Sequence, residues 1–175
     1  MTSIRPTVPS GGSVPYILRD EQTVPGPVEK VFAFFARPEN LGLITPASLG
    51  FRMLTPAPVE MRKGALIDYS IRILGVRVRW RTLISEFVPL SSFTDEQLIG
   101  PYAFWRHTHT FIPVGEETLV RDEVRYLLPF GNAGRMAHPL LVRPKLEEIF
   151  RYRRSVIASL FANPHAKPAL VERGN

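Results

Sequence analysis

The stretch of sequence that decides the fold runs from Phe93 to Pro129 and reads FTDEQLIGPYAFWRHTHTFIPVGEETLVRDEVRYLLP. Apolar and polar residues alternate along most of it, which is typical of β-strands with one buried face. Two loop-like interruptions, Gly100-Pro101 and Gly115-Glu116-Glu117, divide the stretch into three strands. Connections this short join neighbouring strands as hairpins, so the stretch predicts an antiparallel meander.

The same alternation begins near residue 49 and, with an opening strand, predicts a sheet of about seven strands. The expected strands are Tyr16–Val24, Leu49–Pro56, Ala65–Leu74, Val76–Val88, Phe93–Ile99, Ala103–Val114 and Thr118–Pro129. The connections between the later strands are also short and rich in turn residues. We therefore expect consecutive hairpins rather than parallel crossover units.

Helical spacing appears on both sides of this run of strands. The apolar residues that show it after the first strand are Val28, Val31, Phe32 and Phe35. A second short helix is predicted from Pro38, and a long amphipathic helix from Pro144 to about Phe161. Pro139 is expected to kink the segment before that helix or to separate it as a turn. A long helix after a meander packs across the concave face of the sheet, so the predicted class is α+β.

Length and composition indicate one globular domain. The 175 residues are 45% hydrophobic and 22% charged, and they include no cysteine. We expect a flexible arm over 1–15, a single domain over 16–162 and a flexible tail over 163–175. No apolar run reaches the roughly 18 residues of a membrane-spanning helix, and no secretory signal is visible at the start. The prediction is a cytoplasmic protein without integral membrane association; no pattern in the chain indicates the oligomeric state.

The formal net charge of +6 raises the question of an anionic partner. Part of the excess lies on alternate strand positions, at Arg72, Arg77, Arg79 and Arg81. The rest of it lies on the last helix, at Arg143, Lys145, Arg151, Arg153 and Arg154. Alternating arginines are expected on the solvated face of a half-buried sheet. No recognition motif accompanies them, so we predict no nucleic-acid binding. A basic last helix that docks on anionic lipid or on a protein remains a third, weaker hypothesis.

Alternation also predicts which strand residues point into the molecule. The polar residues expected to point inward are Tyr69, Thr82, Glu86, Asp95, Gln97, His107, His109, Asp122 and Tyr126. Each buried polar group left without a partner costs roughly 1–3 kcal/mol, so these groups form a network or line a cavity. Trp80 and Trp105 point the same way and supply apolar wall.

The hairpin turns predict which of these side chains meet. If the Gly100-Pro101 turn is symmetric, Asp95 lies opposite His107, and Gln97 lies opposite Trp105. If the Gly115 turn is tight, His109 lies opposite Asp122, and Trp105 lies opposite Tyr126. Directly opposed side chains in a sheet interact, so two His–Asp contacts are expected on one concave face.

The motif Gly100-Pro101-Tyr102-x-x-Trp105-x-His107-x-His109-x-Phe111, followed by Asp122-x-Val124-x-Tyr126, resembles a bacterial branch of the START-related SRPBCC superfamily. That group contains polyketide cyclase/dehydrase-like and birch-pollen-allergen-like ligand binders. Phe93-x-Asp95-x-Gln97 and the opening Val24-Pro25 also match, and the resemblance covers about 16–162. It implies a helix-grip fold, in which a curved sheet wraps around the last helix and leaves a cavity between them.

Two functions follow as hypotheses. One is the binding of a small hydrophobic or aromatic molecule, with ligand contacts from Tyr69, Trp80, Thr82, Gln97, Trp105 and Tyr126. The other is a cyclase- or dehydratase-type enzyme whose acid and base come from His107, His109, Asp95 and Asp122. Purely structural His–Asp hydrogen bonds and a metal site built on the two histidines are the alternatives for these four residues. We expect no metal, because each histidine has a carboxylate partner and the resemblance implies sites that generally work without one. We expect no cofactor either, since no phosphate-binding glycine loop precedes a helix.

Overall fold

One antiparallel sheet of seven strands organises residues 14–162, the part of the chain that the computed structural model describes. Its strands are β1 Tyr16–Pro25, β2 Arg52–Met53, β3 Leu66–Ile73, β4 Val76–Val88, β5 Ser92–Ile99, β6 Phe104–Val114 and β7 Glu117–Leu127. Their order in the sheet is β1-β7-β6-β5-β4-β3-β2. The predicted meander is therefore confirmed from β2 to β7, and β1 completes the sheet beside β7. The predicted tail and most of the predicted arm lie outside the described residues.

The helices follow the predicted order and confirm the α+β helix-grip class. They are α1 Val28–Phe35, two 3-10 turns at Pro38–Gly42 and Ala47–Leu49, α2 Gly131–Ala137, a π-helical turn at His138–Val142, and α3 Arg143–Ala162. The π-helical turn contains Pro139, which has no N–H for the regular helical ladder and whose ring displaces the preceding turn. The helical stretch nevertheless continues through it. No helix of the described residues is long and apolar enough to span a membrane.

The predicted second strand is the largest boundary error. Only Arg52–Met53 pairs with β3, whereas Leu49–Pro56 was expected. Leu49 closes a 3-10 turn and Gly50 has a left-handed backbone with φ of 49°. These conformations precede the strand, and Pro56 has no N–H to donate beyond it.

The concave face of the sheet carries the core. One cluster joins α1 to the far end of α3, with Phe32, Phe35, Phe111, Ile157 and Phe161 among its members. A second cluster joins β4, β6 and β7 to the start of α3, with Trp80, Trp105, Tyr126, Leu146 and Phe150 among its members. These two clusters hold the two ends of α3 against the concave face of the sheet. A space remains between the clusters.

The convex face carries the arginines in cross-strand ion pairs. Arg81 Nη2 lies 2.8 Å from Asp68 Oδ2, and Arg79 contacts the same carboxylate at 3.3 Å. On the other side of the sheet Arg121 Nε lies 2.8 Å from Glu21 Oε1. The predicted solvated face is therefore confirmed, and acidic neighbours offset part of its charge.

Candidate functional site

A cavity of about 720 Å³ lies between the concave face of the sheet and α3. Its walls come from β3 to β6, from the turns that follow α1, and from the residues of α3 that face the sheet. Most of the lining side chains are apolar, including Ile67, Ile71 and Ile84 from the sheet and Leu146 and Phe150 from the helix. A pocket of this size and character fits a small organic molecule.

Aromatic rings form one continuous wall of the cavity. Tyr69 stacks on Trp80 with ring centres 5.8 Å apart, and Trp80 meets Trp105 edge to face at 5.3 Å. Tyr102 from the turn before β6 packs against Trp105 at 4.7 Å. Alternation places the strand residues of this set on one face, as predicted. Both tryptophans of the chain therefore line the cavity.

A buried cluster of two histidines and two aspartates forms the polar part of the wall. Its register is as predicted, with Asp95 opposite His107 and His109 opposite Asp122. His107 Nε2 donates to Asp122 Oδ1 at 2.8 Å, and His109 Nδ1 lies 2.7 Å from the same oxygen. The other ring nitrogens turn to Asp95 Oδ2, at 3.6 Å from His107 Nδ1 and 3.4 Å from His109 Nε2. Each aspartate therefore contacts both rings.

The cluster drives the two histidine pKa values apart. Burial and the neighbouring charge of His109 lower the pKa of His107, although Asp122 and Asp95 act against this. Burial also acts to lower the pKa of His109, but the charge and proximity of Asp122 and Asp95 outweigh it, so that pKa is raised. Burial acts to raise the pKa of Asp122, but the two histidines hold it well below its usual range. The same opposing influences leave the pKa of Asp95 lowered.

The structure places seven of the ten predicted site residues on the cavity wall. They are Tyr69, Trp80, Thr82, Asp95, Trp105, His107 and His109. Asp122 lies behind the histidines. Tyr126 is buried and contacts His138 Nε2 through its hydroxyl at 2.8 Å. Gln97 holds the next turn, because its side-chain amide bonds the backbone N–H and C=O of Tyr102.

One facing prediction on β4 and one pairing prediction on β5 are wrong, and each has its own physical reason. The pairing of β4 with β5 shifts register between Ile84 and Glu86, so the alternation of side chains reverses there. Glu86 consequently points outward and is exposed, with an oxygen 3.0 Å from Arg106 Nη2. The β5–β6 ladder ends at Glu96, so the expected pairing of Gln97 with Trp105 does not form.

Sequence reasoning missed Arg153, a cavity residue on α3. Its side chain is buried and lines the cavity, although we assigned it to the basic surface of the helix. The helical period contained the signal: Arg153 lies three residues after Phe150 and four before Ile157, within the apolar stripe. Because arginine is charged, Arg153 was not recognised as a member of the apolar stripe. His138 was also missed; it stacks on Tyr16 with ring centres 3.6 Å apart.

Exposed leucines surround one side of the cavity. Leu74 comes from the β3–β4 turn, and Leu140 and Leu141 come from the π-helical turn. Their exposed fractions are 87%, 77% and 57%. Side chains that both line the cavity and meet solvent mark its mouth, so ligand entry is expected between the β3–β4 turn and the π-helical turn.

Asp95, His107 and His109 also form a group that could hold a metal ion. Their candidate ligand atoms lie within 4.8 Å of one another, and Asp122 would orient both imidazoles from behind. The distances of 3.4 and 3.6 Å to Asp95 fit two ligands of one tetrahedral ion. They fit a proton-sharing His–Asp network equally well, and that network already gives each ring two carboxylate contacts.

The fold and the cavity define a class, the helix-grip ligand-binding proteins. The model of the family described as polyketide cyclase / dehydrase and lipid transport matches residues 24–143. The chain belongs to this family, which confirms the resemblance to the START-related SRPBCC superfamily. No curated protein sequence matches the chain at a significant level.

Solved structures share the fold over nearly the whole domain. The chain is similar to TTHA0849 from Thermus thermophilus, with a TM-score of 0.68, 18% identity, and coverage of 86% of this chain and 100% of that one. The Zhui aromatase/cyclase from Streptomyces sp. R1128 also has a TM-score of 0.68, at 14% identity and coverage of 87% and 96%. A START superfamily protein from Mycobacterium smegmatis has a TM-score of 0.61, at 12% identity and coverage of 82% and 98%. At these identities the likeness shows the fold alone.

Proposed function

We propose that the protein is a cytoplasmic carrier or sensor that binds a small hydrophobic or aromatic molecule in the cavity between the sheet and α3. The observation that carries this proposal is the cavity of about 720 Å³ beside a packed core. Protein interiors otherwise contain few voids larger than a water molecule, so a space of this size is expected to be occupied. The aromatic wall and the few convergent polar groups suit a flat, mostly apolar ligand.

Native mass spectrometry of the freshly purified protein, followed by organic extraction, tests this proposal. We expect a bound mass of a few hundred daltons that is released on denaturation. Ile67→Trp adds bulk to the wall and should reduce the bound fraction. Leu66→Trp makes a similar change one residue earlier, on the opposite and exposed face of β3, and should leave it unchanged.

A titration with apolar fluorescent probes complements the extraction, since both tryptophans line the cavity and report its occupancy. Failure of the wild-type protein to bind any such probe would contradict the proposal. Equal binding by the wild-type and Ile67→Trp proteins would contradict it too, because the ligand would then lie elsewhere.

The second candidate is a cyclase- or dehydratase-type enzyme, and the split histidine pKa values favour it. Groups with pKa values driven apart suit an acid and a base in one reaction. His107, whose pKa is lowered, presents Nδ1 as a base, while His109, whose pKa is raised, presents Nε2–H as an acid. Both line the same cavity. The fold is shared with an aromatase/cyclase, which is consistent with this candidate.

The proposed chemistry is balanced within the cluster. In an aldol-type ring closure, His107 takes the proton from the carbon beside a carbonyl group, and the new carbon–carbon bond forms at a second carbonyl. His109 donates a proton to the oxygen of that second carbonyl. In the dehydration that follows the roles reverse: His109, now neutral, takes the second proton from the carbon that His107 deprotonated, and His107, now protonated, donates its proton to the leaving hydroxyl. The carbon–hydrogen and carbon–oxygen bonds break, a double bond forms, water leaves, and both histidines return to their starting states.

His107→Asn separates the two candidates. In a carrier the variant should fold and still bind, with a changed affinity. In an enzyme it should still bind substrate but lose turnover, by a factor of about 100 or more. Thr108→Asn alters the neighbouring side chain, which points away from the cavity, and serves as the matched control.

A further inference from the structure

Arg153 differs from the other cations that line the cavity, Arg37, Arg72 and Lys145, because it alone is buried in an apolar helix face. It is 9% exposed, and Phe150 and Ile157 flank it on the stripe that packs toward the sheet. A guanidinium stays protonated at any physiological pH, so burial cannot neutralise it. A charged group in this position requires compensation from the surroundings or from a ligand.

The described residues supply only part of that compensation. The guanidinium carbon lies 5.0 Å from the centre of the Phe150 ring, which supports the flat face of the group. The edge of the group is different: Nε and Nη1 are buried and have no hydrogen-bond partner within the described residues. Across residues 14–162, Arg153 also forms no ion pair. The Phe150 ring therefore supports the guanidinium, and two of its three nitrogens are buried without a partner.

Two other arginines on α3, unlike Arg153, have carboxylate partners. Arg154 pairs with Asp20 on β1, and Arg143 Nε lies 2.8 Å from Glu147 Oε1. Asp95 and Glu148 are the acidic groups of the cavity wall. Glu148 pairs with Lys145, and the Asp95 carboxylate faces His107 and His109. Asp95 forms no ion pair with Arg153 within the described residues, although the charge of Arg153 acts on it at longer range. The nearby acids therefore have closer partners than Arg153, and Arg153 lines the cavity with two buried donors that no described residue binds.

A second donor in the cavity wall is also unused. The indole Nε1 of Trp80 is buried without a hydrogen-bond partner in the described part of the chain. Trp80 and Arg153 are both donors only, so their partner must bring acceptor oxygens. An entirely apolar ligand would leave all these groups unsatisfied, at a cost for each of them.

We propose that the ligand of this cavity is an organic acid, with an aromatic or otherwise apolar body and a carboxylate that Arg153 binds. The proposal rests on the cavity-binding function proposed above and names its ligand class. A planar guanidinium fork matches a carboxylate with two parallel hydrogen bonds, and such charge-assisted bonds are among the stronger ones in proteins. A second ligand oxygen then accepts the hydrogen bond of Trp80, and the aromatic wall packs on the ligand body.

The test compares two probes that differ only in charge, pyrenebutyrate and its neutral amide, pyrenebutyramide, at neutral pH. Energy transfer from Trp80 and Trp105 to pyrene reports binding of either probe. The wild-type protein should bind the carboxylate about 10- to 100-fold more tightly than the amide. Arg153→Met should bind both probes with similar affinity, because only the carboxylate loses its partner. Arg151→Met removes an exposed charge from the same helix and should keep the wild-type preference.

Each outcome has a defined meaning. Equal binding of the two probes by the wild-type protein would overturn the inference and leave cavity binding standing. A preference that survives in Arg153→Met would also overturn it, since another cation would then hold the carboxylate. Binding of neither probe would count against the proposed function, and the inference would fall with it. If Arg153→Met does not fold, Arg153→Gln gives the same comparison, because it keeps a polar side chain but no charge.

Discussion

At the scale of single residues, one carboxylate oxygen influences the protonation of both histidines in the polar cluster. Asp122 Oδ1 contacts ring nitrogens of His107 and His109 at 2.8 and 2.7 Å. Two protonated rings this close would repel each other, and their ring centres lie 3.8 Å apart. One ring is therefore favoured as the cation and the other as the neutral base. The direction of each pKa shift follows from this arrangement.

The same shifts predict how stability depends on pH. The raised pKa of His109 contributes stability that is complete below the ordinary value of 6.5 and is lost as the pH rises through the raised pKa. The lowered pKa of His107 contributes stability that is present above 6.5 and is lost as the pH falls through the lowered pKa. We expect the melting temperature to be highest near pH 6.5, as measured by circular dichroism across a pH series.

Asp122→Asn tests the assignment of this pH dependence. It removes the larger of the two carboxylate influences that raise the pKa of His109, so the loss of stability above pH 6.5 should shrink. Glu123→Gln alters the adjacent carboxylate, which pairs with Arg19 and Arg125 on the convex face, and should keep the alkaline decline. An unchanged alkaline decline in Asp122→Asn would show that another group titrates there.

Zinc addition tests the expectation that the cluster works without a metal. A divalent ion at Asp95, His107 and His109 would have to displace the proton that the raised pKa of His109 retains. We therefore expect a molar excess of zinc to leave the melting temperature unchanged at neutral pH. A saturable rise that His107→Asn abolishes would instead identify a metal centre, because ligands of the native state stabilise it.

At the scale of elements, the β3–β4 hairpin combines a favourable turn with an unfavourable residue. Its two turn residues, Leu74 and Gly75, both have positive φ, at 49° and 82°. This backbone matches the twist of the flanking strands, but a left-handed conformation costs a non-glycine residue roughly 1–2 kcal/mol. Leu74 is also one of the exposed leucines at the cavity mouth. The strain and the exposure together motivate the prediction that this side chain serves ligand entry rather than stability.

Leu74→Asn should therefore stabilise the protein. Asparagine tolerates the left-handed region, so we expect the free energy of unfolding to rise by about 1 kcal/mol and the melting temperature by about 2–4 °C. Leu90 also has positive φ, at 62°, but lies in the β4–β5 turn and away from the cavity lining. Leu90→Asn should give a similar thermal gain. Only Leu74→Asn should slow the uptake of pyrenebutyrate in stopped-flow fluorescence; equal rates would remove Leu74 from the entry path.

Alternation predicted the concave face wherever the strands are regular. It placed Trp105, His107 and His109 on one side of β6 because nothing interrupts the pairing of β6 with β7. It failed at Glu86, because a bulge depends on how two strands meet and leaves no mark in one strand's own pattern. Arg153 shows a different limit. The helical spacing correctly places it in the apolar stripe, but a functional role for a charged residue there can be inferred only when the adjacent cavity is known.

At the scale of the whole molecule, paired charges reduce the significance of the net charge of +6. The convex face sets Arg79 and Arg81 against Asp68, and Arg121 against Glu21. Each of these exposed ion pairs contributes little to the free energy of unfolding. Together, however, their acidic members reduce the positive electrostatic potential of the convex face. We therefore predict that this face lacks the continuous basic surface that nucleic acid would require.

We expect this charge arrangement to give negligible binding to DNA or to anionic vesicles. Co-sedimentation with phosphatidylserine vesicles and a DNA mobility shift, each at about 50 and 200 mM salt, measure it. Asp68→Asn releases Arg79 and Arg81 from their shared partner and provides a variant in which weak binding should appear. Strong binding by the wild-type protein at low salt that is lost at high salt would contradict the prediction and revive the hypothesis of a basic docking surface.

The position of β1 beside β7 has a consequence for folding. Every other strand pairs with its neighbour in the chain, whereas Tyr16 lies opposite Tyr126 and Pro25 lies opposite Glu117. The hairpins from β3 to β7 can form locally and in succession, but β1 must wait for the far end of the meander. In pulse-labelling hydrogen exchange, the amides of β1 should therefore become protected after those of β6. During synthesis, the strand that is made first completes the sheet last.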